Sequence, residues 1–261
     1  MAKIFCIANQ KGGVGKTTTT VNLAAGLAQA GQRVLMIDLD PQGNATMGSG
    51  VDKRDLTLSV YDVLLESASI DEARVTSQKL IDAGCGYDVL GANRELAGAE
   101  VELVDVERRE KRLRQAIDEV ASQYDFVLID CPPSLSMLTL NGLCCAHGVI
   151  VPMQCEYFAL EGLTDLINTI KQVHANLNKE LMVIGLLRVM FDPRITLQMQ
   201  VSEQLQQHFG EKVFNTVIPR NVRLAEAPSF GVPGVVFDAN SKGAQAYVSF
   251  AAEMVERVKA M

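Results

Sequence analysis

The chain has 261 residues, of which 48% are hydrophobic and 21% charged, and its formal net charge is -7. That length and apolar content suit one α/β domain with a sizeable core and exclude a repeat array or a disordered chain. The acidic balance, 31 Asp and Glu against 24 Lys and Arg, repels nucleic acid and anionic lipid from the molecule as a whole, so any DNA contact requires a local basic patch.

In chain order, KIFCIAN (3–9) reads as an apolar strand, followed by the glycine-rich NQKGGVGKTTTT (9–20) and a helix from Thr17 that Gly31 closes. RVLMIDLD (33–40) is the next strand. Between Thr46 and Gly86 the only signal is a short helix around 59–66, and YDVLGA (87–92) resumes the strand series. A charged segment, 106–123, predicts a helix, YDFVLIDC (124–131) and GVIVPMQ (148–154) predict strands, and 160–177 predicts another helix. LMVIGLLRV (181–189) and KVFNTVI (212–218) are the last two strands, and 242–261 is a closing helix.

Near-continuous apolar strands alternating with helices predict a doubly wound, mostly parallel sheet with helices on both faces. No Pro-, Gly- or Ser-rich linker interrupts residues 1–261, so a single domain is expected. No signal pattern precedes the first strand and no apolar run approaches the ~18 residues of a membrane span, so the reading is a soluble, cytoplasmic protein. The six cysteines, Cys6, Cys85, Cys131, Cys144, Cys145 and Cys155, lack C-x-x-C spacing, which argues against a disulfide framework or a zinc site. His147, His174 and His208 have no nucleophile or metal-ligand spacing around them.

The loop carries the chemistry. A phosphate cradle of the pattern G-x-x-x-x-G-K-[ST] fails here by one residue, because Gln10 stands where the first glycine belongs. Gly12, Gly13 and Gly15 nonetheless follow an apolar strand and precede a helix, so backbone N–H groups, including that of Val14, can wrap phosphate oxygens at a helix N-terminus. Lys16 then reaches the outer phosphates, Thr17 places a hydroxyl on Mg2+, and Thr18 completes the cradle. A plain tight turn with solvated lysines is the competing reading; strand, glycines, Gly-Lys-Thr and helix in succession outweigh it. Magnesium also needs carboxylates nearby, and Asp38 and Asp130 both end apolar strands. Asp40, two residues beyond Asp38, is the candidate for orienting or deprotonating an attacking water.

KGGVGKTTT, with Lys11 just before the glycine pair, resembles the deviant Walker A loop of the ParA/MinD group of P-loop ATPases. The segments ANQKGGVGKTTT, IDLDPQGNAT, LAGAEVEL, FVLIDCPPSL, VPMQCEYFALEGL and VIPRNVRLAEAPSFG extend the resemblance almost end to end, toward chromosomal ParA (Soj-like) partition ATPases. The resemblance implies a weak, partner-stimulated ATPase with ATP and Mg2+ as cofactors. It implies that two subunits sandwich two nucleotides and that Lys11 reaches phosphates bound by the other subunit. It assigns Lys11 and Lys16 to phosphate, Thr17 to Mg2+, Asp38 and Asp130 to the metal's outer shell, Asp40 to the water, and Pro219 and Asn221 to adenine. It further implies nonspecific double-stranded DNA binding by the ATP homodimer through Arg194, Arg220 and Arg223, with Lys242 a weaker addition, release by a ParB-type partner, and a nucleoid-associated location.

Two rival functions share the loop. A MinD-like ATPase would bind membrane, but the C-terminal AAEMVERVKAM shows no lysine-rich amphipathic tail. A reductase of the nitrogenase iron-protein type would need cluster cysteines, and a P-loop amide ligase or a non-hydrolysing ATP-switch scaffold is a further alternative, the last opposed by the presence of Lys11 and Asp40.

Overall fold

The computed structural model describes residues 2–157 and 159–260. Its strands are β1 (Lys3–Ile7), β2 (Val34–Asp38), β3 (Val75–Thr76), β4 (Asp88–Leu90), β5 (Phe126–Asp130), β6 (Gly148–Met153), β7 (Met182–Phe191) and β8 (Val213–Pro219). They form one eight-stranded sheet in the order β3-β4-β2-β5-β1-β6-β7-β8. Every neighbouring pair is parallel except β3 with β4.

Burial on both faces explains the uninterrupted apolar runs. β2, β5 and β6 are buried along their whole length. In β1 the alternation is visible in the core itself: Ile4 and Cys6 join one hydrophobic cluster, Phe5 and Ile7 the other.

The α-helices among the described residues are α1 (Lys16–Gln29), α2 (Asn44–Gly48), α3 (Val60–Leu64), α4 (Ile70–Ala73), α5 (Gln78–Asp82), α6 (Leu96–Glu102), α7 (Arg112–Val120), α8 (Met137–Cys145), α9 (Ala159–Asn176), α10 (Thr196–Phe209), α11 (Val222–Glu226), α12 (Gly234–Phe237) and α13 (Lys242–Lys259). α1 ends as the sequence predicts. Gly31 takes a left-handed φ of 79°, its N–H donates to the Ala28 carbonyl, and the Gln32 N–H donates to the Leu27 carbonyl. Leu23 and Leu27 of α1 are fully buried, each contributing roughly 1.5–3 kcal/mol. α1 crosses α13 so closely that a Cβ on Gly26 would lie 2.9 Å from the Ala251 Cβ.

The structure departs from expectation in three places. The predicted helix over 106–123 shortens to α7 because Arg108 adopts a left-handed φ of 55°, leaving residues 109–111 as a separate 3-10 turn. The Asn141 side chain fixes that break by donating to the Arg109 carbonyl at 2.9 Å. The stretch 46–86 holds α3 near the expected 59–66, but also α4, α5 and the edge strand β3, with capping boxes at Ser59 and Ser69 starting α3 and α4. Helix α8 is buried on nearly all sides and so shows no polar face. Met261, assigned to the closing helix, lies outside the described residues. All six cysteines are free and buried, and no helix among the described residues is long and apolar enough to cross a membrane.

Candidate functional site

The carboxyl ends of β1, β2, β5, β6 and β7 converge on one rim of the sheet, where an open α/β fold binds its ligands. The glycine-rich loop joins β1 to α1 there. Gly13 and Gly15 have φ values of 72° and 78°, a conformation that carries a steric penalty for any side chain, and Gly15 is the N-cap of α1. A Cβ at Gly12 or Gly13 would meet nothing within 4 Å. The loop therefore leaves open space above its glycines, bounded by the first-turn N–H groups of α1, and that is a fit for phosphate.

The two lysines of the loop are held differently. Lys16 is buried and its Nζ donates to the Lys11 carbonyl at 3.1 Å, so it bends back over the loop. Burial pushes the Lys16 ammonium below its ordinary pKa, while the carboxylates of Asp130 and Asp40 pull it back up. Lys11 is half exposed, and its Nζ pairs with Glu156 Oε2 at 2.5 Å. At that exposure the pair is worth ~1 kcal/mol or less, so competing phosphates can displace it.

Asp38 and Asp130 face each other as register partners on β2 and β5, both buried. Asp130 accepts from Thr17 Oγ1 at 2.7 Å and from Thr20 Oγ1 at 3.0 Å. Asp38 accepts from the Thr46 N–H at 2.9 Å, the Thr46 hydroxyl at 2.8 Å and the Asp40 N–H at 3.0 Å. Burial is the largest cause raising the pKa of both carboxyls above the ordinary carboxylate range; for Asp130 the charge of Asp38 adds to it. Asp40 is partly exposed, and its Oδ1 accepts from the Gln42 N–H at 2.9 Å. Asp38 thus fixes the loop that carries Asp40, and Asp130 fixes the hydroxyl of Thr17.

This oxygen-rich donor set suits Mg2+. No three His, Cys, Asp or Glu side chains among the described residues are placed to hold a metal ion by themselves. A cation here must share its coordination with phosphates and water, which is the habit of Mg2+ rather than of zinc or iron.

Pro219, Arg220 and Asn221 line a cavity of about 300 Å³ together with Gly15, Thr18, Val189, Met190 and Tyr247. It opens beside the glycine loop, is mostly apolar, and has the size for a planar base. The Asn221 Oδ1 accepts from the Arg223 N–H at 2.8 Å and so caps α11.

The three arginines assigned to DNA do not form one bare patch. Arg194 is 87% exposed and pairs with Asp192 at 2.7 Å. Arg220 lies close enough to Asp192 to lower its pKa, after the larger effect of Arg194. Arg223 pairs instead with Glu226 at 2.9 Å and Asp238 at 3.5 Å. Arg194 and Arg220 thus share an acid, and Arg223 sits with two others. Lys242 is exposed at the start of α13. His147 is structural, its Nδ1 accepting from the Ile4 N–H at 3.0 Å.

Several residues of the site escape motif reading. Gln154, Glu156 and Met190 lie at or just after the carboxyl ends of β6 and β7, and Thr46 holds Asp38 from a helix further on. The signal that finds Gln154 and Glu156 is positional: they are the polar side chains following the strand that pairs with β1.

A family model described as an AAA domain matches residues 2–183. The sporulation initiation inhibitor protein Soj of Bacillus subtilis is 50% identical over 97% of this chain and 98% of its own. The chromosome-partitioning ATPase Soj of Treponema pallidum is 48% identical over 98% of both chains. Among solved structures, the Mycobacterium smegmatis protein titled cobyrinic acid a,c-diamide synthase, with bound ADP and magnesium, superposes with a TM-score of 0.85 at 38% identity over 99% of this chain and 96% of that one. The cell division ATPase MinD of Pyrococcus furiosus superposes at 0.78 with 26% identity, over 98% of this chain and 99% of that one. With a nucleotide-loop fold matched end to end and full-length relatives at about half identity, the chain belongs to the ParA/Soj family of P-loop partitioning ATPases.

Proposed function

We propose that this protein is a DNA-partitioning ATPase in which ATP and Mg2+ assemble a homodimer that binds double-stranded DNA without sequence preference, and in which a ParB-type partner stimulates hydrolysis and release. The observation that carries the reading is the unequal placement of the two loop lysines. Lys16 is buried within its own loop, whereas the Lys11 side chain is half exposed and pairs with Glu156. A cation kept at the rim is available to a second subunit's phosphates. Two facing nucleotides carry several negative charges each, and added cations between them are required for the faces to meet.

Within one subunit, the loop N–H groups and Lys16 bind the phosphates, and Thr17, aimed by Asp130, holds the cation. Mg2+ supplies charge neutralisation on the outer phosphates when bound. Asp40, on the loop fixed by Asp38 and Thr46, orients the attacking water. The apolar cavity around Pro219 and Asn221 takes the adenine. No arginine is aimed at the loop by any hydrogen bond or ion pair among the described residues, which fits slow basal turnover. The Mg-nucleotide complexes named for the structural neighbours and the ATPase named among the relatives support these assignments.

The amide-ligase name carried by a neighbour at 38% identity gives a second reading. Relatives at 46–50% identity carry partition names, and they weigh more. Sedimentation of the pure chain with MgATP, MgADP and no nucleotide tests the proposal. A dimer only with ATP, together with turnover that rises when a ParB-type partner and DNA are added, is expected. A nucleotide-indifferent monomer whose turnover depends on an acid substrate and an amine donor contradicts it.

A further inference from the structure

Met190 is the non-glycine residue whose conformation is hardest to explain by local sequence. It sits inside β7 with a left-handed φ of 52°, at the place where the register of β7 against β8 is irregular. A bulky side chain at positive φ inside a strand is strained, and such strain persists only where its surroundings enforce it. The surroundings here are the nucleotide loop. The Met190 Cε lies 3.8 Å from the position a Cβ on Gly15 would take, and the Met190 Sδ lies 3.2 Å from Gln154 Nε2. The same nitrogen lies 3.0 Å from the Gly13 carbonyl oxygen. The two protons of one amide nitrogen thus serve two acceptors, one on the loop and one on β7.

We propose that Gln154 and Met190 form a positioning brace that sets the nucleotide loop for phosphate and ties it to the base cavity. Gly13 is left-handed and has no side chain to anchor it, so the plane between Gly13 and Val14 can rotate at little cost. In a trans peptide the C=O and the following N–H point in opposite directions. Holding the Gly13 oxygen on Gln154 therefore keeps the Val14 N–H on the other side of the loop, as a donor for phosphate. A rotated plane would present a carbonyl oxygen to the phosphates instead, which repels them. Met190 completes the brace because it also lines the cavity with Pro219 and Asn221, so the loop and the base wall move as one. The sulfur is a weak acceptor, which sets the order of effects.

The brace acts on the ATP site read above, and its test separates the two. MgATP affinity, KM, kcat and thermal midpoint are measured for the wild type, Gln154→Ala, Gln154→Glu and Met190→Leu. Loss of one hydrogen bond predicts an about tenfold rise in Kd and KM for Gln154→Ala, with kcat at saturation within about twofold. Gln154→Glu is expected to be worse, since a carboxylate cannot donate and repels both the Gly13 oxygen and phosphate. Met190→Leu keeps the bulk and loses only the sulfur, so an about twofold effect is expected. A purely structural role would lower the thermal midpoint and leave KM unchanged. Wild-type KM in Gln154→Ala and Gln154→Glu, or a loss confined to kcat, overturns the brace while the ATP site stands; a wild-type chain that binds no MgATP overturns both.

Discussion

The nucleotide loop and the arginine surface are built by opposite means. Around the loop, the groups that matter are backbone N–H donors, left-handed glycines and buried carboxyls whose partners are already in place, as with Asp38 on Thr46 and Asp130 on Thr17. On the arginine side, the cations are exposed and lie beside acids, Asp192 for Arg194 with Arg220 close by, and Glu226 with Asp238 for Arg223. The first region holds its site groups through hydrogen bonds within the protein. To bind DNA as proposed, the second would have to exchange protein carboxylates for DNA phosphates, and at -7 overall two such surfaces side by side would add to its affinity. Under the proposed function, nucleotide binding is the step the fold secures, and DNA binding is the step the nucleotide would control.

The largest test of that contrast is Lys16→Ala, which removes the buried cation of the loop. Nucleotide binding should fall by at least ~100-fold, as for loss of a charge-assisted contact to phosphate, and DNA binding should vanish with it. Lys11→Ala should instead leave nucleotide binding within about threefold while abolishing the ATP dimer. Glu156→Gln sharpens the point. It removes a pair worth ~1 kcal/mol or less, so it should favour the ATP dimer by about threefold, read as a lower midpoint in a sedimentation titration.

Arg223→Ala and Arg194→Ala come next. Each should weaken DNA binding evenly across sequences and lower the salt slope by about two, one for each subunit of the dimer, with the ATP dimer intact. Arg223 gives up two carboxylate partners to reach DNA and Arg194 one, so Arg194→Ala should show the larger loss if each makes a single phosphate contact.

The smallest effect lies in stability. The folded-state pKa of Asp130 is raised above its unfolded value, so the folded chain holds the proton more tightly and loses stability as pH rises from about 4 through that raised pKa. Asp130→Asn should therefore raise the thermal midpoint of the nucleotide-free protein by ~2–4 °C at pH 8, the gain of ~1 kcal/mol shrinking toward pH 5. The same variant should lose Mg2+-dependent nucleotide binding. A gain that is the same at both pH values contradicts the assignment.

What the sequence discloses follows the same division. Residues 3–31 are legible because strand, glycines, Gly-Lys-Thr, helix and terminal Gly31 are contiguous, so each local signal agrees with the next. Asp38 and Asp130 are legible because a carboxylate closing an apolar strand is costly without a purpose. Gln154 and Met190 are not, because their meaning arises from contacts with Gly13 and Gly15 more than 140 residues away in sequence, made possible by the β1–β6–β7 neighbourhood. The helix expected over 106–123 fails at Arg108, where an Asn141 contact from another helix outweighs local helical period. β3 has two residues, too few to show an alternation. For the arginines, sequence supplies the charges and the adjacent Asp192 and Glu226, but not that they pair, nor the approach of Asp238 to Arg223.

The most direct measurement is a binding titration of the full chain on nonspecific duplex DNA at several salt concentrations, with ATP, with ADP and without nucleotide. Tight binding with ATP alone, weakening steeply with salt and lost in Lys11→Ala, is the predicted result. Equal binding in all three nucleotide states, or none in any, would contradict the claim that the nucleotide dimer assembles the DNA surface.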